Sequence, residues 1–223
     1  MANFYKKLPS TDDAASIRAG EKKNQLGRSM IEMLGVLAII AVLSVGGIAG
    51  YSRAMEQYNW NKALDQWNSL IGLMYRYKSQ LLHVNDGSTG EFPLIPILSG
   101  FSELPSEMII PGNNNQLKDA MGTILNIYNH DTGYIGIASF NKEENNAACR
   151  LMLTIGQYHH AIIDYLKIYN NAGGDNVFLG DSWCCKNCKN CLKDLLISQI
   201  ATACKNNPVC TNSNQCRYLL YWY

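Results

Sequence analysis

The sequence predicts an α+β chain: a long N-terminal helix whose first half spans a membrane, followed by a head with antiparallel strands and a disulfide-rich C-terminal region. Three observations predict it. From Met33 to Gly50 the chain runs 18 residues without a charge. From Arg28 to Phe92 no proline intervenes, and after Gly50 the apolar residues Trp60, Leu64, Trp67, Ile71, Met74 and Leu81 recur at helical spacing. Eight cysteines then fall between Cys149 and Cys216, after two runs rich in β-branched and aromatic residues.

The 223 residues leave room for one ordinary domain plus a membrane segment or tail. Lys+Arg 19 against Asp+Glu 18 gives a net charge of +1, and charged residues make up only 17% of the chain. A grip on nucleic-acid phosphates has no support in those totals, so no nucleic-acid partner is expected.

The apolar run extends back through Met30 and Ile31, on the far side of Glu32. A helix from Ile31 to Gly50 covers about 30 Å, the thickness of a bilayer's hydrocarbon core. Arg18, Lys22, Lys23 and Arg28 precede the span, against Arg53 and Lys62 after it. The positive-inside rule therefore puts the N-terminus in the cytoplasm and the bulk of the chain outside. The first 27 residues are too polar for the apolar core of an ordinary cleaved signal, and no A-x-A site closes the apolar stretch.

The cytoplasmic edge of the span reads Leu26-Gly27-Arg28-Ser29-Met30-Ile31-Glu32-Met33-Leu34: a glycine just before the apolar run and one acid five residues beyond it. This arrangement resembles the class III signal of type IV pilins and pseudopilins, a basic hydrophilic leader ending in Gly with Glu at the fifth mature position. The long leader is similar to the type IVb branch, while Arg28 stands where the family usually has Phe or Met. The resemblance implies a leader over 1–27, cut between Gly27 and Arg28 by a membrane-embedded prepilin peptidase that also methylates the new amine of Arg28. It further implies that Glu32 meets the N-terminal amine of a neighbouring subunit and sets axial register in a filament. Physics is compatible with that role, since a carboxylate at the membrane edge costs up to about 2–3 kcal/mol and tends to be functional or paired. Loss of the leader removes three acids and five bases, taking the side-chain charge from +1 to −1.

Beyond the span, Glu56, Lys62, Asp65, Gln66, Asn68 and Lys78 fill the polar circumference of an amphipathic helix over 51–83. The expected helix thus covers 28–83, membrane half (about 30–50) first. Gly46, Gly47 and Gly50 mark a weak point in it. Gly46 and Gly50 also have the small-xxx-small spacing that lets membrane helices pack closely.

The head is expected over 84–223. Turn residues from Asn85 to Gly90 end the helix, and Pro93, Pro96, Pro105 and Pro111 punctuate a connecting loop. Thr123–Tyr128 and Tyr134–Phe140 suit a hairpin with a turn of about five residues. Asn141 with Glu144 suits a capping box for a helix through Ala148, Leu151, Met152 and Ile155. Further helical patterns run over Tyr158–Tyr169 and Leu192–Cys204, and Cys216–Tyr223 makes a closing sheet strand. The resemblance to type IV pilins implies that the long helix lies on an antiparallel sheet with a disulfide-tied C-terminal region.

Cys184, Cys185, Cys188 and Cys191, with Cys204, Cys210, Cys216 and the separate Cys149, admit two readings: thiolates converging on a metal or iron–sulfur cluster, or four disulfides. Export of the cysteine-bearing part favours disulfides, with the adjacent Cys184 and Cys185 bonded to different partners. Cys149 would tie the mid-chain helix to the cluster. No cofactor or metal is therefore expected. The neighbours His159 and His160 would point apart on a helix, and no phosphate loop, zinc motif or nucleophile elbow is present, which argues against an enzyme.

The function expected is a structural subunit of a type IV pilus or related filament. Its partners would be a prepilin peptidase, other copies of the chain and an inner-membrane assembly platform. It would begin as a single-pass inner-membrane precursor and end in an extracytoplasmic filament. The alternative is a signal-anchored, cysteine-rich extracytoplasmic binding protein that does not polymerise.

Overall fold

In the computed structural model of the protein, the described residues are 11–84, 89–101, 103–141, 146–169, 175–205 and 216–223; side chains are described from residue 30 on, except at 141 and 146. The chain divides into two compact units, Met1–Glu56 and Gln57–Tyr223. Helix α1 is assigned over Thr11–Arg76, so it begins within the expected leader. Hydrogen bonding continues through Gly46, Gly47 and Gly50, and the expected weak point is no break. Tyr77, at φ −102 and ψ 11, interrupts the helix for one residue before α2 (Lys78–Leu82), so the helical stretch ends one residue short of the expected His83.

In the second unit, α1 buries Ala63, Trp67, Leu70, Ile71 and Met74 almost completely. Their spacing is that of one helical face, and each large side chain contributes about 1.5–3 kcal/mol through burial. The polar residue Gln66 is also buried, its Oε1 accepting the Ala120 amide at 2.8 Å. Beside it, Trp67 Nε1–H donates to Asp119 Oδ2 at 3.2 Å, while Asp119 Oδ1 accepts from the amides of Met121 and Thr123. Burial pushes the Asp119 carboxyl above its ordinary range.

The sheet is antiparallel throughout, in the order β1-β3-β4-β7-β5-β6, with β2 beside β3. These strands are β1 (Glu91–Pro93), β2 (Leu117–Lys118), β3 (Ile124–His130), β4 (Tyr134–Asn141), β5 (Tyr165–Tyr169), β6 (Asp175–Leu179) and β7 (Cys216–Trp222). The predicted hairpin is β3–β4. Its turn is shorter than expected, Asp131–Gly133, because pairing continues to His130 opposite Tyr134 and Gly133 turns the chain at φ 88. The C-terminal strand closes the sheet from within, between β4 and β5 rather than at an edge.

One face of the sheet is the main core. Leu125, Ile127, Ile135, Ile137, Leu166, Ile168, Leu220 and Trp222 point there from alternate positions, and all are essentially buried. Helix α4 (Asn146–Tyr158) adds Ala148, Cys149, Leu151, Met152 and Ile155.

Three expectations are corrected. Asn141 is the last residue of β4 and is not a helix cap; α4 begins at Asn146. The helix expected over Tyr158–Tyr169 is a turn followed by β5, because Leu166 and Ile168 face the core while Tyr165, Lys167 and Tyr169 face the other way, a period of two that a short apolar run does not distinguish from a helix. Leu192–Cys204 is a 3-10 turn (Leu192–Asp194) followed by α5 (Ile197–Lys205). The proline-rich connection holds β1, the short helix α3 (Ile95–Gly100), a 3-10 turn at Ser106–Met108 and β2.

Asn129, buried near the end of β3, caps the C-terminus of α2. Its Nδ2 donates to the carbonyls of Leu81, Leu82 and Val84 at 2.9, 3.0 and 2.8 Å. Leu81 and Leu82 belong to the last turn of α2, where carbonyls lack the amide of a following turn. Asn129→Leu keeps the volume and removes the donor, so it is expected to cost about 1–3 kcal/mol, read as a lower denaturant midpoint with an unchanged m-value. An unchanged midpoint would show that water replaces the amide without loss.

Candidate functional site

In the first unit, every side chain from Met30 to Glu56 is exposed in the chain as it stands. Among the described residues, one helix is long and apolar enough to cross a membrane, and none of its most apolar window is buried. Ile31, Val42, Val45 and Ile48 are each about 70% exposed, which water does not favour and lipid or other helices would. Ser44, the hydroxyl within this surface, donates to the Ile40 carbonyl at 2.7 Å, satisfying itself inside the helix.

Glu32 lies on this helix, exposed, between Met30 and Ile31 on one side and Met33 and Leu34 on the other. Gly27 and Arg28 belong to α1 by backbone; their side chains are outside the described set. A Cβ built on Gly35, Gly46, Gly47 or Gly50 would meet nothing within 4 Å. No contact within the chain therefore requires glycine at Gly46 and Gly50, one turn apart on one face.

In the second unit the described cysteines are disulfide-bonded, and none of them is free. Cys149 of α4 bonds Cys204 of α5 across 55 residues, a closure that stabilises by roughly 4 kcal/mol on a chain-entropy basis. Cys184–Cys191 encloses Cys185–Cys188, so the adjacent cysteines do take different partners. Cys216 is also disulfide-bonded, and Cys210 lies outside the described residues. Cys184, Cys191 and Asp194 bring two sulfurs and a carboxylate within 4.8 Å, the geometry that suggests a metal. Those two sulfurs are joined to each other, so they present no thiolate for an ion.

The histidine pair does not converge. His159 follows α4 in a turn and shares a 2.8 Å hydrogen bond with Asn68 Oδ1 of α1, while His160 Nδ1 lies 2.9 Å from Asp181 Oδ2. A cavity of about 380 Å³ beside β1 and β3 is lined by Glu91, Asn113, Gln116, Asn126 and Tyr128 among others. Comparison of the chain with protein-family models, curated proteins and solved structures finds no match.

Burial holds the His159 imidazole below its ordinary 6.5. The unfolded chain therefore takes up a proton before the native one does, and stability falls as pH drops through 6.5 toward the lowered native value. Asp119 acts in the opposite sense: its raised native value makes stability rise as pH falls through it. Denaturant midpoints taken between about pH 8 and pH 5 should decline more steeply in the parent than in His159→Gln, whose amide keeps a donor for Asn68. Parallel curves would mean that His159 titrates equally in both states.

The sheet's other face carries a feature that sequence reasoning missed. Tyr128, Ala138, Leu219 and Tyr221 form a second buried cluster, flanked by Tyr134, Phe140, Tyr165 and Tyr169. Tyr134 stands edge-on to Tyr221 at 4.7 Å and stacks on His130 at 4.7 Å; the hydroxyls of Tyr165 and Tyr223 are 2.6 Å apart. The Tyr128 ring covers Gly136, where a Cβ would lie 2.7 Å from the ring. Burial pushes the phenols of Tyr128 and Tyr221 upward, keeping both neutral. The alternation of tyrosines at 165, 169, 221 and 223 signals such a face once both segments are read as strands.

Proposed function

We propose that the protein is a type IV pilin-like subunit, made as an inner-membrane precursor with its N-terminus in the cytoplasm and assembled into an extracytoplasmic filament. The observation that carries the reading is the Gly27-Arg28 junction with Glu32 five residues beyond the glycine, at the start of the apolar stretch of α1, whose surface the chain itself leaves uncovered. Cleavage after Gly27 frees an amine at Arg28, the site of methylation. Glu32 of one copy meets that amine on its neighbour, and such a pair selects geometry more than it adds stability. The helix then exchanges lipid for identical helices, so burial is preserved as the subunit leaves the bilayer, with Gly46 and Gly50 admitting close approach. An oxidising exterior suits the disulfides of the head.

The test is the N-terminus of the protein purified from membranes and sheared surface fractions of its native host. The mature form should begin at Arg28. A chain that begins only at Met1, with no shortened form and no fibres, replaces the filament reading with that of a tethered ectodomain.

A further inference from the structure

The three described disulfides differ sharply in what reaches them. Cys149–Cys204 is sealed in the core, its residues 3% and 4% exposed. Cys184–Cys191 is half-buried at one end and 4% exposed at the other. Cys185–Cys188 closes a ring of only four residues with Cys185 exposed, and Cys188 lines an open groove of about 530 Å³ with Asn176, Phe178, Lys189 and Gln199. Thiol–disulfide exchange needs a thiolate to approach one sulfur along the sulfur–sulfur axis, so access grades the three bonds.

Cations flank the accessible bond. Lys186 lies inside the four-residue ring and Lys189 directly follows it, and among the described residues neither makes an ion pair with a carboxylate. Lys193, the third cation of the segment, is 3.7 Å from Asp181. Cations beside a cysteine favour its thiolate and raise the local concentration of anions. Trp183, 56% exposed, stands two residues before Cys185.

We propose that Cys185–Cys188 is a thiol-exchange site that takes anionic low-molecular-weight thiols, with Cys185 the sulfur attacked and Cys188 the leaving group. A thiolate R–S⁻ bonds to Cys185 Sγ as the Cys185–Cys188 bond breaks, leaving its electron pair on Cys188 as a thiolate beside Lys189. A second R–S⁻ then attacks the R sulfur of the mixed disulfide, releasing R–S–S–R and the Cys185 thiolate. Two thiols are oxidised, one protein disulfide is reduced, and the two protons shed by the thiols pass to solvent or to the new protein thiols. The site stands apart from the filament reading, since the chemistry belongs to one isolated chain.

The experiment uses the full chain in detergent with reduced glutathione, an anionic thiol, in graded amounts, quenched with N-ethylmaleimide and mapped by mass spectrometry. Cys185 should carry the glutathione adduct, and Cys185 and Cys188 should become alkylated at thiol concentrations on the order of tenfold below those that open Cys149–Cys204. Cysteamine, a cationic thiol, should react several-fold more slowly at matched thiolate concentration, with the gap closing at high salt. The exposed double substitution Lys186→Gln with Lys189→Gln should remove that preference without touching a disulfide. Joint opening of all three bonds, first opening at either of the other two, or equal rates for the two thiols in low salt overturns the proposal.

Discussion

Gly180→Ala should destabilise the head severely. A Cβ at Gly180 would lie 1.7 Å from the Ile163 carbonyl oxygen and 2.9 Å from that of Asp164, both backbone atoms with no flexible end to yield. The approach is close because the segment after β6 crosses the backbone before β5. Gly180 N–H donates to Asp164 O at 2.7 Å, and Asp181 N–H donates to His160 O at 2.9 Å. Asp164 is itself buried and pinned: its amide donates to Tyr221 O, and its Oδ2 accepts the Tyr223 amide at 2.7 Å. To admit a methyl group, β5 and β6 must separate or Asp164 must leave the end of β7, the central strand. A cost on the order of 4–5 kcal/mol is expected, in the range reserved for strain or overpacking without relief. That is a large fraction of an ordinary domain's 5–15 kcal/mol or so. Gly72→Ala is the control: it lies on an exposed face of α1, a Cβ there would meet nothing within 4 Å, and the change should be neutral or stabilise by up to about 1 kcal/mol. Denaturant unfolding of both variants checks this, and equal midpoints would show that the Ile163–Gly180 approach relaxes freely.

Glu32→Ala should leave membrane insertion intact and remove the protein from filaments. On the proposed reading, the carboxylate is the partner of a neighbouring amine in a water-poor assembly. Deleting one member of such a pair typically costs about 3–5 kcal/mol, because the other charge stays buried and unmatched. At about 1.4 kcal/mol per tenfold, incorporation should fall at least a hundredfold, measured as the ratio of sheared to membrane-bound protein. Insertion should persist or improve, since an acid is removed from an apolar helix flank. Glu32→Asp, which keeps the charge on a shorter arm, should recover part of the incorporation. Assembly indifferent to all three side chains would leave a tethered ectodomain as the better account.

The parts legible in the sequence are those written in neighbouring residues. The apolar helix is visible because residues 33–50 contain no charge, and the buried face of α1 because Trp67, Ile71 and Met74 repeat at its own period. The β3–β4 hairpin follows from two β-prone runs around a glycine turn. The separate pairing of Cys184 and Cys185 follows from their adjacency, whereas the partner of Cys149 does not: Cys204 is 55 residues away, and its choice depends on α4 and α5 lying side by side. The strand β5 was hidden for a related reason. Its five residues satisfy a helical spacing as well as an alternating one until β7 is laid against them.

By itself, then, the sequence determined the local and periodic properties of this protein: an apolar helix, an acid at its edge, an amphipathic continuation and an even set of cysteines. Only the tertiary structure decided that the last strand lies in the middle of the sheet, that tyrosines from β3, β4, β5 and β7 meet on one face, and that one disulfide is open to solvent while another is sealed. The division has a physical origin. Periodicity and capping act over a few residues, whereas strand order, burial and access depend on which distant segments pack together, and that choice is made by the sum of many contacts rather than by any short stretch of chain.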